Sequence, residues 1–222
     1  MTTSSKSTIA SPSSAQKRLI FQLTLAACLI FWIFVFVDSG WGPNLTPLSI
    51  QLRTPLSVVG FFYVIWSIGY LPGALVGGAM LDRYGPRRVL FVAALIILGG
   101  MLLILLGVSA VSWKPFAPYV PVSVLFVLAG VAGSGGGVID ATTNGLISSV
   151  YAQRRGSALN LFNLLYPLGG VCIALIDAGL LTAFHNDPRP PLLFTICFTM
   201  VALISLFGVP RGYRLQAHIA PR

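Results

Sequence analysis

Apolar residues run along this chain in long blocks, separated by short turns that carry most of its charge. A helix that crosses a bilayer takes about 20 mainly apolar residues. Six blocks meet or approach that length, at 19–52, 57–80, 89–111, 119–150, 157–183 and 191–209. The first and fourth exceed one bilayer thickness, so tilt, bending or extension into solvent must absorb the excess. Pro43 and Pro47 are expected to bend the first helix, with Gly40 and Gly42 softening it nearby. Ahead of the first block lies a Ser/Thr-rich stretch, which predicts a disordered N-terminal segment over 1–17, a six-helix bundle over 18–210 and a tail over 211–222.

Composition sharpens that picture. Of 222 residues 56% are hydrophobic and 9% charged, where soluble domains average about 25% charged. The expected fold class is therefore all-α, a polytopic membrane protein of six transmembrane helices with lipid as its solvent. The net charge of +9 raises the question of nucleic acid, but the basic residues stand in ones, twos and threes between apolar runs. That spacing suits loops beside anionic lipid and predicts no nucleic-acid partner. Lys17-Arg18 before an apolar run imitates a secretory signal, yet the run is too long and five more follow, so an anchor is expected.

Loop charges fix an expected orientation. Six spans with both termini in the cytoplasm place Lys6, Lys17, Arg18, Arg83, Arg87, Arg88, Arg154, Arg155, Arg211, Arg214 and Arg222 inside, and only Arg53, Lys114 and Arg189 outside. Eleven against three is the bias of a multi-pass protein of the cell membrane. Cys28, Cys172 and Cys197 lie in apolar stretches without ligand spacing, which predicts buried thiols and no disulfide framework, metal or cofactor. His185 falls in an outer loop and His218 in the tail, and no nucleophile–base set is arranged for catalysis. An enzyme is not expected.

The turn after the second block reads GGAMLDRYGPRRVL, residues 77–90, and holds an aspartate and three arginines within seven residues. Asp82 would end a helix at the membrane surface, where a carboxylate can face a helix N-terminus or an arginine. Gly69, Gly73 and Gly77, each four apart, leave a smooth stripe for close helix approach. The set Gly78, Asp82, Arg83, Gly85, Arg87 and Arg88 resembles the signature loop of the major facilitator superfamily, secondary transporters of twelve helices in two six-helix halves. It departs from the commonest form in carrying Pro86 where an arginine often stands. The resemblance implies a conformational-gating loop whose carboxylate, with the glycine stripe, meets a helix of the other half. The bland alternative is a loop whose arginines merely set orientation.

Ionisable groups inside spans are costly and usually functional. On the fourth block Asp140 and Asn144 stand four apart, hence on one face, with Thr143 and Gly137 alongside. The glycine run before them, Gly133-Ser134-Gly135-Gly136-Gly137, lacks the lysine of a phosphate loop and suits close packing. This segment resembles the fucose–proton symporter branch of the superfamily, in which an acid on helix four is followed four residues later by asparagine. Carried over by position, Asp140 would take part in sugar or proton binding, with Asn144 its polar neighbour. The stretches 155–161 and Gly169-Gly170 also resemble that branch. Two departures stand out: Val171-Cys172-Ile173-Ala174 replaces a Gly-Pro pair, and the acid of helix one is Asp38, over a turn before the expected place.

Asp38 and Asn44 on the first block join Asp140 and Asn144 as the candidate substrate- and proton-binding set. Asp177 lies closer to an outer end and is expected to be wetted. Asn160 and Asn163 suit interhelical hydrogen bonding as well as substrate contact, and Trp41, Tyr63, Trp66 and Tyr70 suit a sugar-sized cavity as well as packing. The resemblance implies half of a major facilitator fold, moving a small polar solute, with sugar–proton symport the specific candidate. Such a half needs a second six-helix bundle, from a second copy or a separate chain. The rival reading is a non-transporting accessory membrane subunit or a truncated inactive remnant. Drug export is weaker, since the Gly-Pro pair of exporters is missing from helix five.

Overall fold

A computed structural model describes residues 14–111 and 122–208. Every regular element among them is helical. The helices are α1 (Ser14–Leu52), α2 (Leu56–Val59), α3 (Phe61–Tyr84), α4 (Pro86–Val111), α5 (Val122–Val150), α6 (Arg155–Asn163), α7 (Leu165–Ala183) and α8 (Arg189–Ser205). Single residues, Gly60 and Leu164, separate α2 from α3 and α6 from α7, and both keep right-handed helical dihedrals. Each pair therefore acts as one span. Five helical runs are long and apolar enough to cross a membrane, while α8 has 17 residues and is continued by a 3-10 turn over Leu206–Gly208.

At the centre stands α1, packed against α4, α5, α7 and α8. Leu23, Ala27, Ile30, Ile33, Val35 and Leu48 on it are at most 1% exposed. Outward-facing positions are also apolar: Leu71, Leu75, Leu106, Leu175 and Val201 are each exposed. In water such a surface would aggregate, but in hydrocarbon it is the matched solvent face. Cys172 and Cys197 share that outer surface, so the expected buried thiols are corrected there, and only Cys28 is half-buried.

The closest packing joins α3 to α5. A methyl group added at Gly69 or Gly73 would collide with the backbone carbonyl of Gly130 or Ser134, and one at Gly77 would stand 3.0 Å from the Ala141 Cβ. The fit is reciprocal, since methyls on Gly133 and Gly137 would strike the carbonyls of Trp66 and Tyr70. This corrects the expectation that the stripe 69–73–77 meets another half: α5 of the same bundle fills it. Gly78, one position on, has nothing within 4 Å of an added methyl.

Other boundaries also shift. The first helix begins at Ser14, so residues 14–17, expected to be disordered, are helical; Ala15, Gln16 and Lys17 are good helix formers, and extending an existing helix needs no new nucleus. It also runs unbroken through Pro43 and Pro47. The expected turn at 81–88 reduces to Gly85, which caps α3 with φ of 79° before α4 starts at Pro86. Proline fits a first helical position, where no N–H is needed, and Pro86 is buried there. Lys6, Lys114, Arg211, Arg214, Arg222, His218 and the tail 211–222 lie outside the described residues.

This packing makes a testable contrast. Gly137→Leu should destabilise the bundle by about 2–3 kcal/mol, because the neighbour that must yield is backbone. Gly78→Ala should stay within about 1 kcal/mol of the parent, on the favourable side from helix propensity. Equilibrium unfolding in mixed micelles titrated with a denaturing detergent reads both.

Candidate functional site

Four spans line an open cavity of about 520 Å³, formed by Phe31, Phe34 and Asp38 of α1, Trp66, Ser67 and Tyr70 of α3, Asp140 of α5, and Asn163, Tyr166 and Pro167 of the fifth span. That volume is ordinary for a small-molecule site, about 300–1,000 Å³. Two carboxylates reach it, each held by a tyrosine from another span. Tyr70 donates its hydroxyl to Asp140 Oδ2 at 2.5 Å, and Tyr166 donates to Asp38 Oδ2 at 2.5 Å. Phe34 packs between the tyrosines, its ring centroid 5.6 Å from that of Tyr70 and 6.0 Å from that of Tyr166. Short O–H···O contacts to a charged acceptor are the stronger kind of hydrogen bond.

The sequence pair Asp140 and Asn144 is joined as the four-residue spacing implies. Asn144 donates its amide to Asp140 Oδ1 at 2.8 Å and also to the Asp140 carbonyl at 3.0 Å. Asp140 thus has both carboxyl oxygens engaged. Thr143 is turned away, its hydroxyl spent on the carbonyls of Ile139 and Asp140. Asp38 reaches the cavity, but Asn44 does not. Six residues further along α1 brings it to another face, where it is 3% exposed and donates to Asp177 Oδ2 at 2.8 Å.

Asp177 corrects a second expectation. Expected to be wetted near an outer end, it is 1% exposed and enclosed by α1, α4 and α8. Of the candidate aromatics, Trp66 and Tyr70 line the cavity, while Trp41 is buried against Phe62 and Trp66. Asn163 lines it and Asn160 does not. Tyr166 went unmarked in the sequence; the signal available was its place three residues after Asn163, hence on the same helical face.

The signature residues gather at the far end of α3. Asp82 is exposed and makes no ion pair among the described residues. Arg83 lies over the Tyr84 ring at 5.3 Å, and Arg87 over Phe207 at 5.8 Å, which ties the start of α4 to the end of the sixth span. At the opposite end, Asp187 binds the Arg189 side chain and backbone N–H. The guanidinium holds that carboxyl below its ordinary range. Among the described residues no three His, Cys, Asp or Glu side chains cluster as a metal site.

The sequence profile of the Major Facilitator Superfamily matches residues 27–220. The chain belongs to this family. It is a multi-pass membrane protein of a transporter family. It is 28% identical over 165 residues to the sodium-dependent glucose transporter 1 of Danio rerio, covering 74% of this chain and 26% of that protein. To the hexuronate transporter of Bacillus subtilis (strain 168) it is 26% identical over 159 residues, covering 70% of this chain and 32% of the other. The xylose transporter XylE from E. coli, in a partially occluded inward open conformation, superposes with a TM-score of 0.70 at 18% identity. That match covers 86% of this chain and 50% of XylE, and it shows the fold. The chain therefore spans half of XylE and a third or less of the two relatives.

The tyrosine–aspartate pairs can be tested as units. Tyr70→Phe is expected to destabilise the facilitator bundle by about 1–2 kcal/mol, the range for a hydrogen bond to a charged partner discounted for partial exposure. Combined with Asp140→Asn, the losses should fall short of additivity, because the two changes remove one interaction. A double-mutant cycle on unfolding free energies measures the shortfall, and strict additivity would contradict the pairing.

Proposed function

We propose that the chain forms one six-helix half of a proton-coupled carrier for a neutral, hydroxyl-rich solute of monosaccharide size. The observation that carries this reading is the composition of the cavity. Two carboxylates stand among aromatic faces, and none of the lining residues is Lys, Arg or His. An anionic cargo would face two carboxylates with no cationic lining residue to balance it, whereas a polyol can donate hydroxyls to Asp38 and Asp140 and lay an apolar face on Phe34, Trp66 or Tyr166. The relative from Danio rerio carries glucose in its name, which agrees with that chemistry. Asp140 would exchange its proton at the carboxyl oxygen now bonded to Tyr70. Adding the proton turns that oxygen into a donor for a cargo hydroxyl, so proton and cargo binding favour one another through one oxygen, as co-transport requires.

Alternating access in this family's fold is a rocking of two bundles about a midplane site. One six-helix bundle offers one wall, so the reading includes a second bundle. Asp82, exposed and without an ion pair among the described residues, is then the candidate residue for contact with it. The reading also includes cytoplasmic placement of the Arg83, Arg87, Arg88, Arg154 and Arg155 end in the cell membrane, as the charge bias favours.

Uptake into right-side-out vesicles from cells making the protein tests the coupling. With an inward pH gradient the parent should accumulate cargo. Asp140→Asn, which keeps the shape and loses the exchangeable proton, should bring the internal-to-external ratio down to about one, the limit for uncoupled equilibration, while exchange of labelled for unlabelled cargo persists. Accumulation equal to the parent's would remove Asp140 from the coupling step.

Orientation is checked in a cysteine-free background. A cysteine at position 155 should resist an impermeant thiol reagent in intact cells and react after permeabilisation, and one at position 189 should react in both. The reverse pattern would invert the topology.

A further inference from the structure

Behind the cargo cavity, on another face of α1, lies a second and much smaller void of about 10 Å³. That is room for about one water. Trp41 and Asn44 of α1, Met101 of α4, Asp177 of α7, and Leu192 and Thr195 of α8 line it. Asp177 receives one side-chain hydrogen bond, from Asn44 Nδ2 to its Oδ2, and the same amide nitrogen also donates to the Gly40 carbonyl at 2.8 Å. Three buried polar atoms here have no partner among the described residues: Trp41 Nε1, Asn44 Oδ1 and Asp177 Oδ1. Asn44 and Asp177 are 3% and 1% exposed.

A single water could satisfy those hydrogen bonds by accepting from the indole and donating to both oxygens. It could not cancel a carboxylate charge. Among the described residues, the side chains facing Asp177 from α1, α4 and α8 include no Lys, Arg or His and no second acid. An ionised carboxylate enclosed by apolar spans, with no counter-charge, is the arrangement that membrane interiors penalise most. A proton on Oδ1 removes the charge and turns one orphaned acceptor into a donor. Asn44 Oδ1 is the neutral acceptor that can take it, directly or through the water. A metal cation suits the place less well, because the Asn44 amide N–H points at Asp177 Oδ2 and Trp41, whose indole can only donate, lines the same void.

We infer that the Asn44–Asp177 pair is a proton-binding site of its own, set between spans one, five and six and out of reach of the cargo. It binds and releases one proton at the Asp177 carboxyl, with no other bond made or broken. The site goes beyond the cargo reading above and stands whether or not that reading holds. Its neighbours give it a route to the cavity all the same. α1 carries both Asn44 and Asp38, and the fifth span carries both Asp177 and Tyr166. The occupancy of the small site thus bears on the seam between the two helices that hold the Asp38–Tyr166 bond.

The test reads protonated carboxyl groups by their infrared C=O band, on the full chain in lipid nanodiscs and sodium-free buffer. All five acidic side chains are aspartates, so the bands are few. Asp177→Asn should remove one band that Asp140→Asn leaves in place, and Asn44→Ala should shift that band by removing its amide partner. A spectrum unchanged by Asp177→Asn overturns the proposal. Loss of the band on adding sodium chloride at constant pH also overturns it, in favour of a cation site. If Asp177→Asn fails to fold, Asn44→Ala decides: a shifted band supports the site, and an unshifted one overturns it.

Discussion

Glycines on α3 and α5 let two helix backbones touch, with no side chain of either able to stand between them. Between helices in hydrocarbon, water release contributes nothing, so close van der Waals approach is the main attraction available. The contact therefore sets the spacing and rotation of the second and fourth spans, and with them the placement of Tyr70 against Asp140. That hydrogen bond lies one residue position along from the Gly69–Gly130 contact on α3 and three residues beyond Gly137 on α5. A bulkier residue in the seam would part the helices and withdraw the tyrosine from the acid.

The same logic explains the opposite side of the cavity. Gly169 and Gly170 sit where the fifth span meets α1, and an added methyl would lie 2.9 Å from Val35 Cγ1 or 3.2 Å from the Ser39 hydroxyl oxygen. That closeness brings Tyr166 to Asp38 and Asp177 to Asn44. Both acids of the cavity, and the acid behind it, are thus held by polar side chains on a neighbouring span. Each pair satisfies groups that lipid could not satisfy.

Much of this was legible in the chain itself. Block lengths predict six spans, and the acid-and-arginine turn with Asp140 and Asn144 points to the family. What the sequence could not show was which face of a helix meets which partner. The stripe at 69, 73 and 77 signals close approach in either case, yet whether the approaching helix is α5 or a helix of another bundle is a tertiary fact. Asn44 and Asp38 sit on one helix, but six residues of α-helical rotation separate their destinations. Asp177 lies near a helix end, where burial depends on how the adjoining spans converge. Tyr166 looked like one more aromatic in an apolar run, and only the partner acid on α1 gives its hydroxyl a meaning.

The junction at Gly85 has a mechanical consequence. One residue joins α3 to α4, and the next, Pro86, is already buried in the fold. So short a tether leaves no slack. A vertical shift or tilt of α3 cannot be absorbed in a connecting strand and must be handed to α4. Through the stacking of Arg87 on Phe207 it passes on to the last span. Asp82 stands just ahead of this stiff corner, so a pull on its carboxylate would act as on a lever arm, tipping two spans together.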